Sequence, residues 1–483
     1  MVARPRSAPR RGLFHAHLPP PEAPLSRELA EALTAAGASA LVPKVIDPNL
    51  FEKLRRYSPL IESLPSQKIR TTTYYFNTRN GLASGGAVTD GGARQVSAGS
   101  YFQTGATIKN LQVVGAVTGY AEEVTADVIG DLRGREIMGA IKGLRWDTEQ
   151  MLVAGNAGAT QYGPYPQFDG LASQITQFTA TGSLGQNCID AAGGNISISL
   201  LNQLIDMVES YTAEQLTSGG ADWMLVMSST SEGALASLLT NQQRFVNEVE
   251  IIPGLVVPSY RNIPIVRSSY LGTKGNQMGT VTATPATTGG TLAAGTYYYK
   301  VSAVMSRQGE IAACAEVNAT TTGSTGTVTL AFSTPSGFQA STPQTYMVYR
   351  GTSAGQETLL GYVDATVGLQ SDGVTPIPTT SIVDTGTALV PQSGVTVPAQ
   401  TPATYVGTST GLKPRSAGQE DIYLMSRDRD NLLRPYVRDI QPKDVFPTTS
   451  SPDSMPFAVV SDTCLAIRGP EWVGRLTRVA PAL

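Results

Sequence analysis

With 483 residues, 41% hydrophobic and only 15% charged, against a usual charged share of about a quarter, the chain is long enough for about two to four domains and must cover its surface largely with Ser, Thr, Gly, Asn and Gln. A formal net charge of −3, from 35 Lys+Arg and 38 Asp+Glu, excludes the overall basic field of a sequence-specific nucleic-acid binder. Cys188, Cys314 and Cys464 lie far apart without CxxC spacing, and no run of 18 apolar residues occurs, which argues against a disulfide framework, a zinc site and a membrane span and for folding in a reducing cytosol.

Residues 1–48 read as an arm. The stretch MVARPRSAPRRGLFHAHLPPPEAP is basic and free of acid up to Glu22, and its recurrent prolines break any amphipathic helix. Residues 49–76 start the folded body, with a helix predicted over 49–64 and a strand over 68–79. The segment 80–100, NGLASGGAVTDGGARQVSAGS, lacks an apolar period and predicts a long mobile loop. Two strand-like runs, YFQTGATIK and LQVVGAVTGY, follow and meet at Asn110. Residues 77–120 therefore predict a hairpin projecting from the body, too small and polar to bury a core alone.

Residues 121–278 begin with one long helix over 121–154. Val124, Val128, Leu132, Met138, Ile141, Leu144, Thr148 and Met151 or Leu152 return every three or four residues, an apolar stripe of about nine turns. Early Glu122, Glu123 and Asp127 and later Lys142 and Arg145 suit the helix dipole. Gly130, Gly134, Gly139 and Gly143 each cost up to about 1 kcal/mol relative to Ala, which predicts close approach by a neighbouring element. Gly155-Asn156 ends the helix. An amphipathic helix (197–212), a buried strand (222–228) and a capped helix (230–242) follow.

Residues 279–400 hold three basic and six acidic residues, net −3, so the other 361 balance at 32 against 32. The zone is β by every local sign. In GTYYYKVSAV, Tyr297, Tyr299, Val301 and Ala303 alternate with Tyr298, Lys300, Ser302 and Val304, and Gly, Ser, Thr and Pro turns divide the runs. A sandwich of about immunoglobulin size is predicted. LAAGTYYYKVSAVMSRQGEI resembles the late strands of a fibronectin type III domain and TYMVYRGTSAGQETLLG its middle strands, here in reverse order, as in a circular permutation. Strands return in 401–483 (EDIYLMS, FAVVSD, TCLAIRGPEWVGRL), so the sandwich reads as an insertion into one domain.

Chemical motifs are weak. GTSAG (351–355) and GTSTG (407–411) match G-x-S-x-G, but neither precedes a predicted helix and the chain's two histidines, His15 and His17, lie in the arm, so no nucleophile has a base downstream. Those two histidines fall short of a metal set, and SRDRDN (426–431) lacks the glycine and distal Glu of a calcium loop. No phosphate loop is present. Asp169, in YGPYPQFDGLASQI, has no second acid nearby in sequence and reads as a turn residue, with Phe168 and Leu171 packing under the long helix and Gly170 permitting the bend. No catalytic residue, cofactor or metal is expected.

The ordered set ALVPKVIDPNLFEKLRRYSPLIESLP (40–65), the 77–120 hairpin, the 121–154 helix, PQFDGLASQI (166–175) and DTCLAIRGPEWVGRL (462–476) resembles the major capsid protein of tailed bacteriophages, with the Hong Kong 97-type fold. The resemblance covers about 350 residues, everything except the sandwich and the extreme N-terminus. It implies an α+β fold with N-arm, E-loop, spine helix, peripheral and axial domains, plus the inserted all-β sandwich. It also implies a non-enzymatic protein that self-assembles into hexamers and pentamers of an icosahedral virion shell around double-stranded DNA, in the host bacterial cytoplasm, with portal and scaffolding proteins as partners during assembly. Tyr101, Phe102, Lys109, Leu111 and Val113 are then candidate E-loop interface residues, and Arg4, Arg6, Arg10 and Arg11 candidate contacts to DNA or scaffold. A decoration protein or host-surface glycan is the implied partner of an outward-facing sandwich. An extracellular adhesion or glycan-binding protein built on the sandwich is the alternative, and it lacks a secretion signal; a polysaccharide-cleaving enzyme would need paired carboxylates in a cleft.

Overall fold

A computed structural model describes residues 59–481 except 82, 91, 93–96, 161–163, 176–186, 214–215, 217–221, 242–246, 253–254, 273–275, 307, 336–341, 373–374, 388, 393–410 and 446–452. The arm, with Arg4, Arg6, Arg10 and Arg11, lies outside them, as does most of the helix expected over 49–64, of which Leu60–Ser63 is helical.

Two sheets build the body. The first runs in the order Ser66–Lys68, Leu432–Asp444, Ser454–Thr463, Lys109–Thr118, with Ala466–Ile467 paired to the start of the second strand. Helix Leu132–Ala154 packs across it, so that Leu144 and Leu152 share a core with Leu111, Val459 and Leu465. The second sheet runs Cys188–Asp190, Val473–Val479, Glu420–Ser426, Trp223–Met227, Ile263–Arg267, Leu255–Tyr260, Asn247–Ile252. Its central strand WMLVM is buried at every position, as a continuous apolar run demands when both faces are covered. Helix Ile198–Thr212 contributes Leu201, Leu204, Ile205 and Val208 to one of these faces; Ser197 caps it by accepting from the Leu200 N–H at 3.2 Å. Helix Ser229–Asn241 covers the same core through Leu235 and Leu239.

Between Val281 and Gln392 the chain forms a sandwich of two sheets around their own core. One sheet runs Val281–Ala286, Thr327–Phe332, Ser381–Asp384, Leu389–Gln392; the other runs Gly309–Glu310, Gly295–Met305, Pro343–Gly351, Thr358–Asp364, with Val317–Thr321 also paired to Gly295–Met305. Tyr299, Val301 and Ala303 are buried in its core, as the alternation in this strand predicts. The strand expected as late in a fibronectin-like order, 295–305, pairs with the strand expected in the middle, 343–351.

The long helix differs from expectation. It is two helices, Gly119–Ile129 and Leu132–Ala154. Gly130 breaks them at φ +75°, where a side chain would be strained, and Asp131 restarts the second helix by accepting from the Gly134 N–H at 2.7 Å. A Cβ on Gly134 would stand 2.2 Å from that same carboxylate, while one on Gly139 would meet nothing within 4 Å. Among the described residues, close approach by a neighbouring element is thus not the reason for Gly130, Gly134 or Gly139. Among the stripe positions whose side chains are described, burial begins at Leu144; Val124 and Met138 are exposed.

The predicted hairpin is corrected as well. Strands Thr73–Gly81 and Ser100–Thr107 pair with each other as a separate two-stranded sheet. Lys109–Thr118 instead pairs along its whole length with Ser454–Thr463 and closes an edge of the body. The projecting element is therefore 73–107, not 77–120.

Candidate assembly surfaces

The hairpin presents side chains on both faces. In Ser100–Thr107 every residue but Ala106 is exposed; Tyr101 is 68% and Phe102 59% exposed, and Tyr75 lies open on the partner strand. An isolated two-stranded sheet is marginal in water, and its outer strand edges carry unpaired backbone donors and acceptors. At its root Arg468 donates to the Tyr74 hydroxyl at 2.8 Å, and the Ile108 N–H donates to the Thr72 carbonyl at 2.9 Å. Farther out, the Ser84 N–H donates to Ser97 Oγ at 3.0 Å.

Of the five candidate interface residues, Tyr101 and Phe102 sit on this hairpin. Lys109, Leu111 and Val113 do not: they lie in the body strand, where Leu111 is 6% exposed within the core and Val113 packs against it. Leu111 is thereby corrected from interface to core. Tyr75, Tyr120, Val124 and Met138, outside the expected set, are also large apolar side chains left exposed. Tyr75 could have been found from TYYF, which puts aromatics on both faces of one strand. Val124 and Met138 belong to the predicted apolar stripe, whose spacing does not say what the stripe faces.

The FDGL corner is structural. Phe168 and Leu171 are buried against the helix, and the Gly170 N–H donates to the Gly155 carbonyl at 3.0 Å. Gly170 is extended rather than left-handed; its glycine is required because a Cβ would stand 2.3 Å from the Met151 carbonyl oxygen. Asp169 accepts from the Ala157 N–H at 2.9 Å. Burial raises its carboxyl above the ordinary value, and the Ala157 N–H opposes that rise. GTSAG forms the turn joining strands Pro343–Gly351 and Thr358–Asp364; GTSTG lies outside the described residues but for Gly411. Among the described residues no group of three or more His, Cys, Asp or Glu could hold a metal.

The densest polar cluster fastens the sandwich to the body. Arg415 donates through Nε to Glu310 at 3.0 Å, pairs with Asp421 at 3.3 Å, and donates to the Leu271 carbonyl at 3.2 Å. Ser302 and Tyr349 donate to the other Glu310 oxygen at 2.7 and 3.1 Å. Asp421 also accepts from Arg475 at 2.6 and 3.0 Å and from Thr477 at 2.8 Å. Burial works against the charge on Asp421, but Arg415, Arg475 and Thr477 outweigh it and hold the carboxyl below its usual range. Every charge in the chain Glu310–Arg415–Asp421–Arg475 is buried and paired, which is structural cement rather than a site open to substrate. Burial pushes the Cys188 and Cys464 thiols up to about 12, so neither supplies a thiolate.

Residues 102–261 match the family model described as SU10 major capsid protein. No curated protein matches the chain. Among solved structures, similar chains include the holo-SrpI encapsulin complex from Synechococcus elongatus PCC 7942 (9% identity, 94% of this chain and 98% of that chain covered, TM-score 0.45). Others are Mycobacterium phage Bobi (9%, 92% and 98%, 0.44) and the capsid of an empty GTA particle (9%, 92% and 98%, 0.44). The match to the major capsid protein model thus spans the outer hairpin strand from Phe102, helices Gly119–Ile129 and Leu132–Ala154, and the first part of the body.

Proposed function

We propose that copies of this chain form hexamers and pentamers that tile an icosahedral shell around double-stranded DNA, without catalysis by the chain itself. The observation that carries this reading is the hairpin 73–107, whose exposed Tyr75, Tyr101 and Phe102 and unpaired strand edges gain partners when laid over a neighbouring subunit. A net charge of −3 suits a container whose DNA is balanced mostly by mobile counterions. In this reading residues 279–400 are an insertion of fibronectin-like type that faces outward for particle stability or attachment, to a decoration protein or a host-surface glycan. Arg4, Arg6, Arg10 and Arg11 face DNA or scaffold, and a portal completes the shell. Expression of the full chain followed by sedimentation and negative-stain microscopy tests the proposal. Shells, hexamers or pentamers are expected, and Tyr101→Ser with Phe102→Ser is expected to abolish them; a wild-type chain that stays monomeric under all conditions overturns it.

A further inference from the structure

The hairpin leaves a second exposed set unexplained. On helix Gly119–Ile129, Tyr120, Glu123 and Val124 fall at i, i+3 and i+4 and share one open face. On helix Leu132–Ala154, Arg135, Met138, Gly139 and Lys142 continue the same spacing, again on an open face. Each face has an apolar centre: Tyr120 is 76%, Val124 62% and Met138 55% exposed. The charges are opposite. Residues 119–129 contain Glu122, Glu123 and Asp127 and no Lys or Arg, whereas 132–145 contain Arg133, Arg135, Lys142 and Arg145 against Glu136. Gly139 lies in the middle of the basic face with open space where a side chain would be, a helix-weakening choice that nothing among the described residues repays.

Resting on the shell reading above, we infer that the acidic Tyr120–Val124 face of one copy docks on the basic Arg135–Lys142 face of the next copy, with the Gly139 backbone letting an aromatic or branched side chain approach closely. The two faces differ, so the contact is head-to-tail; such contacts close into rings when the rotation allows. Opposed charges across it set register and speed encounter, and added salt weakens them.

The test uses the full chain under conditions where the wild type forms particles. Glu123→Arg alone, and Arg135→Glu with Lys142→Glu, are each expected to cut the sedimenting fraction about tenfold or more at low salt; carrying all three changes in one chain restores it. All three side chains are exposed, so the unfolding midpoint should not move. Separately, Val124→Cys combined with Gly139→Cys should give an oxidised ladder of dimers and higher species, the native cysteines being buried. The inference is overturned if wild-type particles form and the charge reversals assemble equally well, if loss is not rescued by the combined variant, or if the new disulfide stays within one chain. A wild type that never assembles overturns the shell reading and this contact together.

Discussion

The sandwich and the hairpin are both β structure, yet they are stabilised in opposite ways. The sandwich buries Tyr299, Tyr346, Val348 and Leu330 in its own core and is pinned to the body by the Glu310–Arg415–Asp421 chain. The hairpin buries almost nothing and holds to the body through a few bonds at its root. The first is complete within one molecule; the second, in the shell reading proposed above, is finished by a neighbouring copy. Mutations should therefore separate into those that change stability and those that change association.

The largest effect is expected at the pin. Arg415→Ala leaves Glu310 and Asp421 without their shared cation in a buried seam, at a cost of about 3–5 kcal/mol, read as a lower denaturant midpoint. Replacing Arg415 and Glu310 together with methionine should recover much of that loss.

A smaller effect, of opposite sign, is expected at Asp364. Burial raises its pKa from 3.8 to about 6, against the hydrogen bonds from Thr366. A carboxyl raised in the folded state favours folding when protonated, so its contribution is fully present below pH 3.8 and is lost as pH rises through about 6. At about 1.4 kcal/mol per tenfold, the gap amounts to at most about 3 kcal/mol. Asp364→Asn is expected to raise the midpoint at pH 7 by up to that amount and to flatten the pH dependence between 4 and 6; a neutral or destabilising change would show the ionised carboxylate to be better solvated than its burial implies.

The two glycines of the helical region sharpen the contrast further. Gly130→Ala should destabilise by about 1 kcal/mol because of its positive φ. Gly139→Ala, facing open space, should stabilise the isolated subunit by up to about 1 kcal/mol while reducing assembly. Last, Tyr101→Ser and Phe102→Ser should leave the midpoint within about 0.5 kcal/mol, since neither packs on the core, although both are expected to prevent particle formation.

Much of the body was readable because its signals are local. The apolar face of 197–212, the run WMLVM, the FDGL corner and the Tyr299–Ala303 alternation each lie within a few residues. What could not be read depends on distant partners. Nothing near Leu111 says that its strand pairs with Ser461, some 350 residues later, so it was grouped with the hairpin it follows. The break at Gly130 was masked because the apolar period runs across it unchanged. The same period hid Val124 and Met138, for spacing reports which residues share a face and not whether that face meets the core or another molecule. Buried pairs such as Arg415 with Glu310 have no sequence spacing to announce them.

The last long strand, Val473–Val479, lies between Cys188–Asp190 and Glu420–Ser426 in the second sheet. During translation the sandwich strands, contiguous from 281 to 392, can close while the ribosome is still at work, as domains generally do. The body sheet must wait with a gap at Arg475 and Leu476 until residues 473–479 emerge. A chain extended only as far as the sandwich thus carries a closed β-sandwich beside a sheet that still lacks an inner strand.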